Sequence, residues 1–195
     1  MSRLLSRSFA VFCVGLFLFG LATYSVSSFQ QSQKNRAEPA QAFKLIELES
    51  DVDANGVETF KALRIHEVEA NGDWRTVVHP IGKSGGVEYA STSEGLSAAK
   101  GNERIMLDEG KKRSLSPEQQ EKMRTVGFYE NHPDLVGTGM IAGLKVYKLR
   151  TPLDQKDGWL EMANSPKTGK IPLCVIVHQP DGAEHRIEAV KVEFK

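Results

Sequence analysis

Turn signals divide most of this 195-residue chain into short segments rich in β-branched and apolar residues. Asn55-Gly56 and Asn71-Gly72 readily supply the positive φ that a tight turn between two strands requires. Because the connections are short, antiparallel pairing of neighbouring strands is expected. The pattern predicts nine or so strands and no regular alternation of strands with helices, which excludes a doubly wound α/β fold.

Most of the predicted strands are β-branched or aromatic runs, and the last one alternates clearly. We predict strands at Phe43–Glu49, Val57–Val68, Trp74–His79, Val87–Ser91, Ile141–Arg150, Trp159–Ala163, Ile171–Gln179 and Ala183–Phe194, and a hairpin of Glu103–Leu107 with Lys112–Leu115. In the last strand Val190, Val192 and Phe194 are expected to face inward. Ile187 and Ala189 have the opposite phase, which predicts a β-bulge near Ala189.

One helix start is clear. Ser116 is a good N-cap, Pro117 suits the first helical position, and Gln119 can complete a capping box. The helix is expected to end near Arg124 or Thr125. The predicted fold is therefore mainly β: one curved antiparallel sheet with one or two short helices against it.

An apolar block at the start of the chain determines the predicted compartment. Arg3 and Arg7 precede an almost wholly apolar run from Phe9 to Ala22. This run has the length of a signal-peptide core, and extended to Val26 it is long enough to be a membrane anchor. Both interpretations put the rest outside the cytoplasm, either periplasmic or anchored in the inner membrane. We assign residues 1–28 to a signal peptide or anchor, 29–41 to a flexible tether and 42–195 to a single domain.

The charge balance argues against a nucleic-acid partner. The chain has 25 Lys and Arg against 25 Asp and Glu, so it has no large basic excess. Its densest basic run, Lys111–Arg113, follows the acidic pair Asp108-Glu109. If the leader is retained, residues 9–26 make the membrane itself a partner.

Several motifs suggest chemistry but lack its context. Gly82-Lys83-Ser84-Gly85-Gly86 matches a nucleophile elbow, which needs a helix after the serine, whereas the following Val87–Thr92 is expected to be extended. His178 and His185 flank a Pro-Asp-Gly turn that, as a type I turn with a bulge, pairs His178 with Glu184 and separates the histidines onto opposite faces. We predict no catalytic residue, no cofactor and no metal site.

Cys174 is the one cysteine beyond the leader. Its apolar neighbours predict a buried thiol in a strand, and an intermolecular disulfide is the alternative. The aromatic residues are spread about one per strand, as expected for a core or for the lining of an apolar cavity. The candidate ligand-lining residues are Phe60, Trp74, Tyr147 and Trp159.

The last third of the chain, from Gly137, resembles a family of exported bacterial proteins. Gly143 and Tyr147 give a G-x-x-x-Y strand, Trp159-Leu160-Glu161 gives W-x-E, and Pro166 with Gly169 gives a Pro-x-x-Gly turn before the next strand. This order resembles the late strands of the outer-membrane lipoprotein-carrier and sigma-regulator half-barrels, the LolA and RseB type. The resemblance implies an incomplete antiparallel barrel with a hydrophobic concavity for a lipid or a partner segment.

Three functions remain as hypotheses. The first is an exported non-enzymatic protein that binds an apolar ligand, a lipid or lipidated peptide, in the concave face of a half-barrel. The second is a membrane-anchored interaction or envelope-sensor module, held by residues 9–26 and displayed on the tether. The third and weakest is a hydrolase that uses Ser84.

Overall fold

The computed structural model describes residues 33–83, 85–92, 95–101, 103–109, 115–153 and 158–195. The chain divides into two compact units, Met1–Arg36 and Ala37–Lys195, and every described strand belongs to the second. The leader, Ser84 and the basic run Lys111–Arg113 lie outside the described residues. The predicted fold class is confirmed for the described residues of the second unit: the strands form one open antiparallel sheet with two short helices.

The eleven strands make two consecutive meanders. They are β1 (Phe43–Val52), β2 (Glu58–Val68), β3 (Trp74–Pro80), β4 (Val87–Thr92), β5 (Gly95–Lys100), β6 (Glu103–Glu109), β7 (Leu135–Ile141), β8 (Leu144–Pro152), β9 (Trp159–Asn164), β10 (Cys174–His178) and β11 (Glu184–Phe194). The helices are α1 (Pro117–Lys122) and α2 (Val126–Glu130). The sheet order is β6-β5-β4-β3-β2-β1-β11-β10-β9-β8-β7, so β1 and β11 join the two meanders.

The predicted bulge in the last strand is present. Ile46 pairs with Lys191 and Glu47 with Ala189, so Val190 is the extra residue. The inward prediction for Val190 is wrong, because the bulge turns this side chain outward and leaves it 52% exposed. Val192 packs against the core, whereas Phe194 is only partly covered, by the ring of Phe43 at 5.9 Å.

Two observed strands, β5 and β7, were not predicted from the sequence. β5 lies in a Gly/Ser/Ala-rich stretch where the sequence patterns indicate no strand, and its pairing with β4 makes it one. The strand predicted from Ile141 to Arg150 is present as β8, but it begins at Leu144 and not at Ile141. Ala142 (φ 47°) and Gly143 (φ 77°) form a two-residue turn with both central φ values positive, and it joins β7 to β8. β6 pairs with β5, and most of its predicted hairpin partner lies outside the described residues.

The predicted capping box at the start of α1 is confirmed. The Gln119 N–H donates to Ser116 Oγ (3.2 Å), and the Ser116 N–H donates to Gln119 Oε1 (2.9 Å). α1 ends at Lys122, slightly earlier than expected, because the Thr125 side chain caps a second helix by accepting from the Phe128 N–H (3.2 Å). The Glu38 N–H donates to the Arg124 carbonyl (2.8 Å), so the compact unit extends back into the stretch predicted as a tether.

Two buried clusters form the core. The larger comprises Phe43, Leu45, Val68, Val146, Ala163, Leu173, Cys174 and Ala189. The smaller centres on Tyr129 of α2, whose ring stacks on Tyr147 of β8 at 5.4 Å and whose hydroxyl donates to the Gly169 carbonyl (3.1 Å). Burial raises the pKa of Tyr129. The sheet face that carries Phe43 and Leu45, which α2 partly covers, is called the inner face below.

We predict that Ala142→Gly stabilises the protein by about 0.5–1 kcal/mol, because an L side chain is disfavoured at positive φ. Chemical denaturation measures the free energy of unfolding. Ala183→Gly, which follows the bulged hairpin turn at negative φ, is the matched control and should destabilise the protein by a similar amount. If both variants lost the same free energy of unfolding, the positive φ of Ala142 would be contradicted.

We also predict that Cys174 is unreactive in the folded protein. The thiol is buried, and this burial, followed by the nearby Glu188 carboxylate, raises its pKa to about 12. A Cys13→Ser variant, which leaves Cys174 alone, should react with a chromogenic disulfide reagent only after guanidinium unfolding. Rapid reaction of the native protein would contradict the burial of the thiol, and a dimer that a reductant separates would favour the intermolecular disulfide.

Candidate ligand-binding face

The inner face can be followed from strand to strand through the pairing register. Paired residues share a face, and every second residue along a strand returns to it. In β1 the inner-face residues are Phe43, Leu45, Glu47, Glu49 and Asp51. Their side chains change from apolar to charged along the strand, so the two ends of this face have different chemistry.

The end near Phe43 is covered. α1 and the loop at 167–171 close over β1 and β2, and they leave a cavity of about 50 Å³. Its lining includes Phe43, Val68, Gln120, Arg124, Gly169 and Ile171. A space of this size holds a few water molecules and is far smaller than a pocket for a drug-sized ligand.

Away from this cover, the inner face carries an apolar strip. Met162, Val175 and Ile187 lie side by side across β9, β10 and β11, and Leu160 and Val177 form the next row. All five are half-buried, so the strip retains accessible apolar surface. Its neighbour on β8, Leu149, is buried with Tyr129 and Tyr147 in the smaller core cluster.

A buried polar cluster lies beside the strip. Glu47 is only 4% exposed, and its Oε2 lies 2.7 Å from His66 Nε2 and 3.8 Å from Arg64 Nε. Arg64 Nη1 donates to Glu49 Oε2 (2.9 Å). A carboxylate so deeply buried requires such partners, because an unpaired charge in a protein interior is costly.

The cluster continues to a more exposed rim. Asp51 Oδ1 lies 2.8 Å from His185 Nδ1, and Asp51 Oδ2 lies 3.1 Å from Lys61 Nζ. The hydrogen bond with His185, followed by that with Lys61, lowers the pKa of Asp51. The inner face therefore presents an apolar strip on β9–β11 and fixed charges on β1 and β2.

Glu47, His66 and Thr76 form a carboxylate–imidazole–hydroxyl chain. His66 Nδ1 lies 2.6 Å from Thr76 Oγ1, so the groups follow the order of a hydrolase triad. Thr76 is only 1% exposed, however, and its hydroxyl cannot contact a substrate. These three side chains therefore have a structural role, because their contacts link β1, β2 and β3. This network was not predicted from the sequence. The signal that could have indicated it is Glu47, an acidic residue that continues the inward alternation of Phe43 and Leu45.

The four candidate ligand-lining residues divide between the two faces. Trp74 and Tyr147 lie on the inner face, where Trp74 packs near His66 and Tyr147 is buried at 1% exposure. Phe60 and Trp159 belong to the opposite face, because Phe60 pairs with Ser50 and Trp159 with His178. A role in ligand binding remains a prediction for each of them.

The predicted register of the last hairpin is confirmed. Val177 pairs with His185 and His178 with Glu184, and His178 Nδ1 lies 3.0 Å from Glu184 Oε1. The Trp159 ring stacks on His178 with centroids 4.4 Å apart. The two histidines lie on opposite faces, and no group of three metal-ligating side chains occurs in the part of the chain that the structure describes.

The residues that follow the position of Ser84 bear on the nucleophile-elbow hypothesis. β4 begins at Val87, as expected, so a strand stands where a nucleophile elbow requires a helix. Among the described residues, no helix has both the length and the apolar character needed to cross a membrane. The predicted anchor, residues 9–26, lies outside them.

These features place the described domain in the class of open, single-sheet half-barrels. No family model matches the chain, and no curated protein matches it either. Its fold is similar to that of MucB in a Pseudomonas aeruginosa MucA/MucB complex (TM-score 0.47, 17% identity, 84% of this chain and 55% of that one).

Two further structures are similar. One is MucB in complex with the periplasmic part of MucA (TM-score 0.45, 15% identity, 86% of this chain and 55% of that one). The other is a LolA superfamily protein from Nitrosomonas europaea (TM-score 0.39, 12% identity, 87% of this chain and 93% of that one). The chain thus spans about 55% of the MucB chains. These similar structures support the LolA/RseB-like fold that the resemblance of the late strands predicted.

We predict that Thr76→Val destabilises the protein by about 1–2 kcal/mol, because it leaves His66 Nδ1 without its buried partner. Urea denaturation measures the loss. Thr59→Val, at an exposed position of β2, is the matched control and should change stability by less than about 0.5 kcal/mol. An equally small effect at Thr76 would show that the network does not stabilise the sheet.

Proposed function

We propose that this chain is an exported, non-enzymatic binding protein whose inner face holds an amphipathic lipid or lipidated peptide. The main support is the half-buried strip around Met162, Val175 and Ile187. Covering accessible apolar surface is favourable by about 25 cal/mol per Å². An acyl chain laid along this strip would gain that free energy without any catalytic group.

The polar cluster supports an amphipathic ligand over a plain hydrocarbon. Arg64 and Lys61 lie on β2, and His185 lies on β11 opposite Val177 of the strip; each is already paired with a carboxylate. A ligand with a polar head would place its head at this exposed rim and its chain on the strip. The basic start and apolar block of residues 1–28 support export, and residues 29–41 would then tether residues 42–195 if the leader is retained.

The test compares lipid binding by two isoleucine variants of the full chain. Ile187→Gln changes the strip, whereas Ile65→Gln changes a half-buried isoleucine on the opposite face. We expect Ile187→Gln to weaken binding of a fluorescent fatty acid about tenfold, which corresponds to about 1.4 kcal/mol. Ile65→Gln should leave binding within about twofold of the original protein.

Two results would contradict the proposal. Native mass spectrometry that shows no bound lipid, together with no uptake of the fluorescent fatty acid, would favour the membrane-anchored interaction or sensor module. Equal effects of the two glutamine variants would locate the ligand elsewhere. Cell fractionation distinguishes the two locations, since recovery wholly in the soluble periplasm rejects an anchored module.

A further inference from the structure

The cavity at the covered end of the inner face has a cationic lining. Arg124 lies just after α1, and Lys167 and Lys170 belong to the loop that closes over the sheet. Among the described residues that line the cavity, Glu69 is the one acidic side chain, so the three cations leave a net charge of plus two. Glu69 Oε1 lies 4.0 Å from Lys195 Nζ, at an exposed position. An excess of positive charge around a concave space attracts anions.

The Arg124 side chain is held in place by backbone groups. Its Nε donates to the Glu38 carbonyl (3.1 Å), and the Arg124 carbonyl accepts from the Glu38 N–H (2.8 Å). Its aliphatic stem packs over Gly169, where an added Cβ atom would lie 3.4 Å from Arg124 Cγ. The side chain is half-buried, and it makes no ion pair within the part of the chain that the structure describes. Such a guanidinium is suited to an oxyanion, which it can bind through two parallel N–H groups.

The loop at 167–171 is fixed by hydrogen bonds. Thr168 Oγ1 donates to the Ile171 carbonyl (2.9 Å) inside the loop. The Gly169 carbonyl accepts from the buried Tyr129 hydroxyl (3.1 Å), which anchors the loop to α2. The lysine side chains of this loop therefore start from an ordered backbone. Cations that are already in position bind an anion at a smaller entropic cost than cations on a flexible segment.

The size and charge of the cavity suit a phosphate group. Its volume is about 50 Å³, and one water molecule occupies about 10–15 Å³ of such space. The cavity thus has room for a group as large as a few water molecules, which is about the size of a phosphate. A phosphate monoester carries a charge of about −1.5 to −2 at neutral pH, which balances the net charge of the lining better than a single carboxylate does.

We propose that this cavity binds a phosphate group, either free or as the headgroup of a lipid, through Arg124, Lys167 and Lys170. Arg124 donates the paired N–H groups, and the two lysines balance the remaining charge. Lys167 is exposed, so the anion enters the site from solvent on its side. The site shares no residue with the apolar strip on β9–β11, and this inference therefore goes beyond the proposed function.

Two glutamine variants of the full chain test the site. Lys167→Gln removes an exposed charge, and Arg124→Gln removes the guanidinium but keeps part of the stem over Gly169. Lys83→Gln, also at an exposed lysine outside the strands, is the matched control for a lost charge. Isothermal titration calorimetry in a mild detergent measures the binding of inorganic phosphate. Urea denaturation shows whether each variant is folded.

We expect the original chain to bind one phosphate. Its dissociation constant should rise about tenfold in Arg124→Gln and about threefold or more in Lys167→Gln. Lys83→Gln should bind within about twofold of the original chain. If Arg124→Gln does not fold, Lys167→Gln decides the test, because its side chain is exposed. Inorganic phosphate has no acyl chain, so this result does not depend on lipid binding to the strip.

A lipid titration distinguishes the two sources of the phosphate group. Dioctanoyl phosphatidic acid and dioctanoylglycerol have the same acyl chains and differ in the phosphate. Tighter binding of the phosphatidic acid, with a preference that Lys167→Gln removes, assigns the site to a lipid headgroup. Binding of inorganic phosphate without this preference assigns it to free phosphate. The proposal is overturned if the chain shows neither, or if both glutamine variants bind as the original chain does.

Discussion

The pairing of β1 with β11 is the interaction on which the remaining structure depends. All ten residues of β1 pair with both β2 and β11, so this strand joins the two halves of the sheet. The same pairing brings Leu45 and Ala189 into one buried cluster. Because the two strands are far apart in sequence, this part of the core depends on a long-range contact.

This central position also explains the buried charge. Glu47 follows Phe43 and Leu45 in the inward phase of β1, so the register that builds the core also buries a carboxylate. His66 and Arg64 of β2 are the residues that the pairing places against it. The inner face consequently divides into an apolar part and a charged part, and this division is the basis for proposing an amphipathic ligand.

Local signals predicted local structure accurately. The Ser116 capping box, the His178–Glu184 register and the burial of Cys174 each depend on residues close together in sequence, and all three are confirmed. The errors arose where a neighbouring strand decides the outcome. β5 is a strand through its pairing with β4, and Ala142 carries a turn that its residue type does not favour.

The sequence by itself determined the mainly β class and the antiparallel pairing of neighbouring strands, because turn chemistry and short connections constrain only near neighbours. Only the tertiary structure decided which aromatic residues share a face, which acid is buried and which strands remain at the edges. Those properties depend on register between distant strands, and a shift of one residue moves every side chain to the other face. Phe60 and Trp74 therefore belong to opposite faces although both are aromatic strand residues.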